Sequence, residues 1–397
     1  MTGGAARIAG IAFGLGIATF AAYQQFKLPV VLPVMLDSYD YDRTLAGGFM
    51  SIYALAGLAL SVWASRLIER QGAFGPVLLA LGLGILGNVV TLGAPESATV
   101  VLVGRALEGA AFAILAVCGP VLASSNASAS QLPFVFGLIA TWIPIGQLSA
   151  TLLAPVSLAT VGWQGLWWLA VVVGVLVALA ALGLERHDPS LLFPARRGGG
   201  GLRSAPLTAG ERVSLVVSGA VFMLWSGQYF AFMTWMPLYL VEVHGLDLRG
   251  AQIGYVVPVV LVASFSVING ILMRAGIRLG TLLVSAMVTQ ALVWWLIPHV
   301  DAGMLGIALV VVYGAGAGIV PSSLFGTPSA ILGPGRNPAP GFGYIMTARN
   351  LGVLIGPVLI AEVSKAGGWN ASAPVFATIT TVCLGLALLL AARLRTH

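Results

Sequence analysis

Charge is what this sequence has least of: Asp, Glu, Lys and Arg make up 8% of its 397 residues, while 58% are hydrophobic. Soluble domains carry roughly a quarter charged residues, so water is excluded as the main solvent of this chain. Cysteine is nearly absent as well. The two present, Cys118 and Cys383, both fall inside apolar runs and are expected to be small core residues, which excludes a disulfide framework or a thiolate metal site. The patterns of catalysis are missing too: there is no Gly-x-Ser-x-Gly elbow, no phosphate loop with its lysine, no His-Glu-x-x-His and no Cys-x-x-Cys. An enzyme, a cofactor and a bound metal are therefore not expected.

What is present is a series of apolar runs, each about 20 residues and long enough to cross a hydrocarbon core of about 30 Å as a helix. Twelve such spans can be drawn, at 8–36, 45–66, 74–93, 98–122, 134–157, 164–184, 212–241, 252–273, 279–298, 303–325, 341–363 and 372–393. The mean hydropathy of +0.98 agrees. The expected fold class is an all-α membrane protein in a lipid bilayer. The first span follows a single Arg7, is too long for a signal-peptide core and lacks a small-residue cleavage site, so it is read as a retained helix.

A net charge of +6 does not point to nucleic acid, because of where the cations lie. With the N-terminus cytoplasmic, thirteen fall on cytoplasmic segments: Arg7, Arg66, Arg70, Arg186, Arg196, Arg197, Arg203, Arg212, Arg274, Arg278, Arg336, Arg393 and Arg395. The opposite side holds only Arg43, Arg249 and Lys365. This positive-inside asymmetry predicts that both termini are cytoplasmic; the expected location is a bacterial inner membrane, spanned many times. Lys27, Arg105 and Arg349 belong to neither set and lie inside spans.

The one long polar segment runs from Glu185 to Arg212 and contains Arg196-Arg197 followed by four glycines. It reads as a flexible linker and divides the chain into a six-helix bundle at 1–185, a cytoplasmic linker at 186–211 and a second six-helix bundle at 212–397. The halves echo one another. Ala150-Thr-Leu-Leu-Ala154-Pro155 in span 5 matches Gly352-Val-Leu-Ile-Gly356-Pro357 in span 11 at an offset of 202. Gly162-Trp163-Gln164 matches Gly368-Trp369-Asn370 at 206, and Pro33 in span 1 matches Pro237 in span 7. Two parallel repeats of six helices produce this pattern.

Three local motifs carry a resemblance to a known family. Span 4 holds Arg105-Ala-Leu-Glu108-Gly109, similar to an Arg-x-x-x-Gly element, and span 11 holds Gly-x-x-x-Gly-Pro intact, where span 5 has alanine for both glycines. After span 2, Arg66 and Arg70 remain of a gating-loop motif in which Ser61 and Ser65 replace glycine and aspartate; a degenerate second copy lies at Gly270 to Arg278. Over essentially its full length the chain resembles the major facilitator superfamily. That resemblance implies twelve helices in two pseudo-symmetric bundles, alternating access, and a central cavity lined by helices 1, 4, 7 and 10.

Charges inside a membrane are costly unless paired, hydrated or functional. Lys27 sits in the polar interruption Tyr23-Gln24-Gln25-Phe26-Lys27 of span 1. It either faces the cavity or snorkels outward. Cyanate-permease-like members resemble this arrangement, with a basic residue in helix 1 and a Trp-Pro element in helix 7, here Trp235-Met236-Pro237. Arg349, in Thr347-Ala348-Arg349, lies roughly 12 Å into span 11 at 1.5 Å per residue, and its context resembles oxalate/formate-type antiporters; the alternative is a structural arginine bonding helix carbonyls. At the 202 offset its counterpart is Gln147. Arg105 and Glu108 share a helical face and are expected to neutralise each other, or else Glu108 carries a proton. If they pair, Lys27 and Arg349 are left uncompensated and the embedded field is positive.

Gln24, Tyr23, Trp142, Gln147, Gln228, Tyr229, Tyr313, Tyr344 and Asn350 are the polar and aromatic candidates around those two cations. Pro144 and the run Gly314-Ala-Gly316-Ala-Gly318 are expected to let their helices bend. Gly82-Leu-Gly84-Ile-Leu-Gly87 fits a dinucleotide pattern, but with no strand before it, it reads as close helix packing. The leading expectation is a monomeric secondary active transporter of a small organic or inorganic anion, moved with a proton or a counter-anion, with Lys27 and Arg349 taking its charge. Proton-coupled export of drugs is the alternative, opposed by the scarcity of embedded acids. A membrane sensor without transport is opposed by the absence of any soluble domain.

Overall fold

The computed structural model describes residues 3–39, 41, 43–192, 206–245, 248–300, 304–333 and 336–395. The central linker from 193 to 205, with Arg196, Arg197 and Arg203, lies outside the described residues, as do the side chains of Arg43, Arg249, Pro33 and Pro237. Every regular element among the described residues is helical, and twelve helical stretches are long and apolar enough to cross a membrane.

The chain forms two compact units. The first comprises residues 1–128, 142–205 and 335–347, and the second 129–141, 206–334 and 348–397. In the first unit α1 (Gly3–Ser38), α2 (Arg43–Gln71) and α3 (Phe74–Gly93) all pack on α4 (Ala98–Asn126), while α6 (Trp142–Thr160) lies on α1 and α7 (Gln164–His187) on α3. In lipid, apolar burial gives little drive between helices, so small residues that let backbones approach decide the contacts. α4 is built for this role, with Gly104, Gly109, Ala111, Ala113, Ala116 and Gly119 all buried. A Cβ on Gly119 would lie 2.8 Å from the carbonyl of Gly14 on α1, and one on Gly109 would lie 3.1 Å from Tyr53 Cα on α2. Ser97 begins the helix by accepting a hydrogen bond from the Val100 amide.

The second unit holds α5 (Leu132–Ala140), α8 (Ala209–His244), α9 (Leu248–Arg274), α10 (Leu279–Leu296), α11 (Met304–Leu332), α13 (Ser372–Arg393) and, from Ala348, the rest of α12 (Ala339–Gly367). A capping box opens α8: Thr208 Oγ1 accepts from the Glu211 amide at 3.2 Å, and Glu211 returns a carboxylate oxygen to the Thr208 amide at 2.8 Å. The Gly-x-x-x-Gly element of α12 packs face to face with α8. Side chains at Gly352 and Gly356 would collide with the carbonyls of Met223 and Gly227.

Span 5 is broken into α5 and α6 at Thr141. Pro144 has no N–H to give the Ala140 carbonyl. The glycine run of α11 behaves otherwise: the helix is uninterrupted, and its glycines meet neighbouring helices. A Cβ on Gly318 would lie 2.6 Å from the Val262 carbonyl of α9. The repeated Gly-Trp turns have a common cause, since Gly162 and Gly368 both take positive φ, 78° and 69°, just before the last span of each half.

Candidate functional site

Helix crossings in the first unit bring a charged cluster together. On α3, Gly87 sits against the Gly104 carbonyl of α4, at 2.6 Å from a Cβ built there, and Gly84 faces Gln24 and Ala111. Gly82 touches nothing within 4 Å, so only part of the dismissed dinucleotide pattern is a packing motif. This close crossing carries the next residue, Asn88, into the interior with no exposed surface.

There Lys27 is enclosed. Its Nζ donates to Gln24 Oε1 at 2.5 Å, to Asn88 Oδ1 and to Glu108 Oε1 at 3.1 Å, and lies 4.6 Å from the centroid of the Trp167 ring. The second oxygen of Glu108 accepts from Arg105 Nη1 at 2.6 Å and from the Tyr53 hydroxyl at 3.1 Å. Arg105 also donates to the carbonyls of Phe49, Gln24 and Gln25, and its guanidinium covers the Tyr53 ring at 4.1 Å. Lys27, Arg105 and Glu108 all have relative side-chain exposures of 0%.

This corrects the expected division of charge. Arg105 and Glu108 do pair, but Lys27 is not uncompensated, because one carboxylate serves both cations. Two basic groups against one acid still leave one formal positive charge in the cluster. Tyr23 is turned away, donating to the Leu166 carbonyl at 2.8 Å. Trp142 stacks on Phe112 with centroids 5.8 Å apart, and Gln147 is buried on α6. Tyr344 is 37% exposed. Arg66 and Arg70 are exposed near the C-terminal end of α2, where a cation complements the helix dipole.

In the second unit Arg349 is 1% exposed. Its Nη1 donates to Asn350 Oδ1 at 2.9 Å, its guanidinium lies 4.7 Å from the Phe230 ring centroid, and its carbonyl accepts from Ser226. Gln228 Nε2 donates to the Tyr313 hydroxyl at 2.8 Å, and Tyr229 stacks on Trp225 with centroids 5.0 Å apart and planes 9° apart. Asn88, Tyr53 and Trp167 in the first unit, and Trp225, Gln290 and Trp294 in the second, were not among the residues picked from sequence. An amide in an apolar run was the available signal for Asn88 and Gln290; the aromatics are indistinguishable from core.

Residues 12–341 match the profile of the Major Facilitator Superfamily. The chain belongs to that superfamily. No curated protein matches its sequence. The human organic anion transporter MFSD10 (TETRAN) is similar in structure, with TM-score 0.76 and 15% identity over 96% of this chain and 99% of that one. The proton:xylose symporter XylE gives TM-score 0.73 and 11% identity over 95% and 94%, and the E. coli fucose:proton symporter FucP gives 0.71 and 16% over 97% and 98%. Identities this low make these likenesses of fold. As a superfamily member, the chain is a multi-pass transporter that moves small molecules across a lipid bilayer.

Proposed function

We propose that this superfamily transporter carries a small anion by secondary active transport. One observation supports the reading above the others: among the described residues, the spans bury Lys27, Arg105 and Arg349, while of the two buried acids Glu211 caps the first turn of α8 and only Glu108 lies deep within a span. Each unit thus holds a buried cation deep in its spans beyond what Glu108 balances. A buried cation of this kind is unfavourable by itself and gains most from an anionic partner. The rival reading, export of cationic drugs, needs a carboxylate for the cation. Glu108 already accepts from Lys27, Arg105 and Tyr53.

Sequence supplies the remaining parts of the proposal. Two repeats, 1–185 and 212–397, flank a cytoplasmic linker at 186–211 in a bacterial inner membrane, and the positive-inside asymmetry supports cytoplasmic termini. The protein acts as a monomer with a proton or a counter-anion as its coupling partner. Isothermal titration of the purified chain with a panel of carboxylates and inorganic anions tests the central claim. Binding of at least one anion with no lipophilic cation bound is the expected result; the reverse preference removes it.

A further inference from the structure

Asn88 and Gln290 are 202 residues apart, the same offset that carries Gln147 onto Arg349 and Lys27 onto Tyr229. Both amides are completely buried, one on α3 and the other on α10. In the first unit Asn88 completes the ionic cluster of Lys27 and Glu108. The matching positions of the second unit are uncharged: Tyr229 stands for Lys27, Gln290 for Asn88 and, at an offset of 205, Tyr313 for Glu108. At this level the second unit has a polar cluster without charges.

That neutral copy is continuous. Gln228 bonds Tyr313, whose ring meets Trp294 at 5.4 Å; Trp294 lies one turn from Gln290 on α10, and Gly316, just beyond Tyr313, brings α11 close enough that a Cβ there would lie 3.2 Å from Gln290 Cγ. Tyr229 leads to the cation through Phe230, whose ring is 5.4 Å from that of Tyr229 and lies under the Arg349 guanidinium. Four polar atoms of the set have no hydrogen-bond partner among the described residues: the Tyr229 hydroxyl, Gln228 Oε1, and both Oε1 and Nε2 of Gln290. Polar groups left unbonded in an apolar interior are unfavourable, so a group of four in one unit calls for a ligand that completes them.

We propose that Gln228, Tyr229 and Gln290 bind hydroxyl groups of the substrate, which is accordingly a hydroxylated carboxylate whose charge is met by Arg349. This rests on the anion reading above and narrows it. An alcohol both donates and accepts, so it can satisfy an amide oxygen, an amide nitrogen or a phenol, whereas a plain acid whose carboxylate is held by Arg349 has only an alkyl chain to offer them. A site built to hydrogen-bond a hydroxyl discriminates strongly against the analogue lacking it.

The test uses the full purified chain and two matched sets of probes: D-glycerate, propionate and glycerol, and D-gluconate, hexanoate and sorbitol. Titration should show at least one hydroxy acid binding about tenfold or more tighter than its unhydroxylated match. Gln290→Leu and Tyr229→Phe should each lower hydroxy-acid affinity toward that of the plain acid and leave the plain acid unchanged. Both substitutions remove unbonded polar atoms, so melting temperatures should hold, and either variant alone decides the matter. Equal affinity for hydroxylated and plain acids, or an equal fall for both in the variants, overturns the hydroxyl assignment and leaves the anion reading intact. A polyol binding as tightly as its acid overturns the carboxylate half, and the anion reading with it; no binding by any of the six overturns the proposal.

Discussion

Lys27 and Glu108, 81 positions apart in sequence, meet at 3.1 Å with neither side chain exposed. Removing one partner of a buried pair leaves the other charge uncompensated, at a cost of about 3–5 kcal/mol. Glu108→Gln strands two cations and should lower the melting temperature sharply. Lys27→Gln leaves Glu108 paired with Arg105 and should be milder. The double variant should lose less than the two singles together, with a coupling of about 1 kcal/mol or more in a double-mutant cycle on the purified protein. Strict additivity would show that the contact contributes nothing.

Arg349 should behave differently: it donates to the neutral Asn350 amide and lies against the Phe230 ring face. Arg349→Gln is expected to weaken anion binding by about tenfold or more, the effect of losing a charge-assisted contact, with the melting temperature unchanged or raised. Calorimetry and thermal melts on the same preparation check this. A lower melting temperature with affinity intact would make Arg349 a structural residue.

Among the described residues Glu108 is also the buried acid that lies deep within a span, the other, Glu211, capping the first turn of α8, which makes Glu108 the candidate for proton coupling. The groups facing it are Lys27, Arg105, Tyr53 and, through Lys27, Gln24 and Asn88. In proteoliposomes, Glu108→Gln should abolish accumulation driven by a pH gradient and spare substrate exchange. Unchanged pH-driven uptake would confine Glu108 to holding the two cations.

Two glycines of one motif should tolerate alanine very differently. The new methyl group of Gly87→Ala would meet the Gly104 carbonyl at 2.6 Å and the Glu108 backbone, while that of Gly82→Ala meets nothing within 4 Å. Overpacking a close crossing costs about 1–3 kcal/mol. Gly87→Ala should therefore lower the melting temperature and weaken substrate binding by displacing Asn88, and Gly82→Ala should do neither.

Orientation is testable by cysteine labelling. Cys118 and Cys383 are both buried, so alanine at both positions supplies a background for single cysteines between 193 and 205. An impermeant maleimide should label them only after the membrane is opened. Labelling of intact cells would invert the proposed topology.

The spans were legible because the cost of crossing hydrocarbon is local and additive: a run of apolar residues is sufficient evidence for its own helix. α3 and α13 begin and end where composition alone placed them, at 74–93 and 372–393. The break at Thr141 was readable from Pro144 for a similar reason, as a missing N–H is a property of one residue. The pairing of the charges was not readable. From i to i+3 a sequence shows Arg105 beside Glu108, and nothing in it shows that Lys27 takes the other oxygen.

The sequence by itself thus determined that this chain is a membrane protein with twelve apolar spans and three cations embedded in them, because length, hydropathy and charge are counted along the chain. Tertiary structure alone decided which of those cations Glu108 reaches. Glycine crossings at Gly84, Gly87 and Gly104 set how closely α3 and α4 approach, and that approach carries Asn88 and Glu108 to Lys27 across 61 and 81 residues of sequence. An ion pair depends steeply on separation in a low dielectric, and separation is a property of the packed helices and not of the order of their residues.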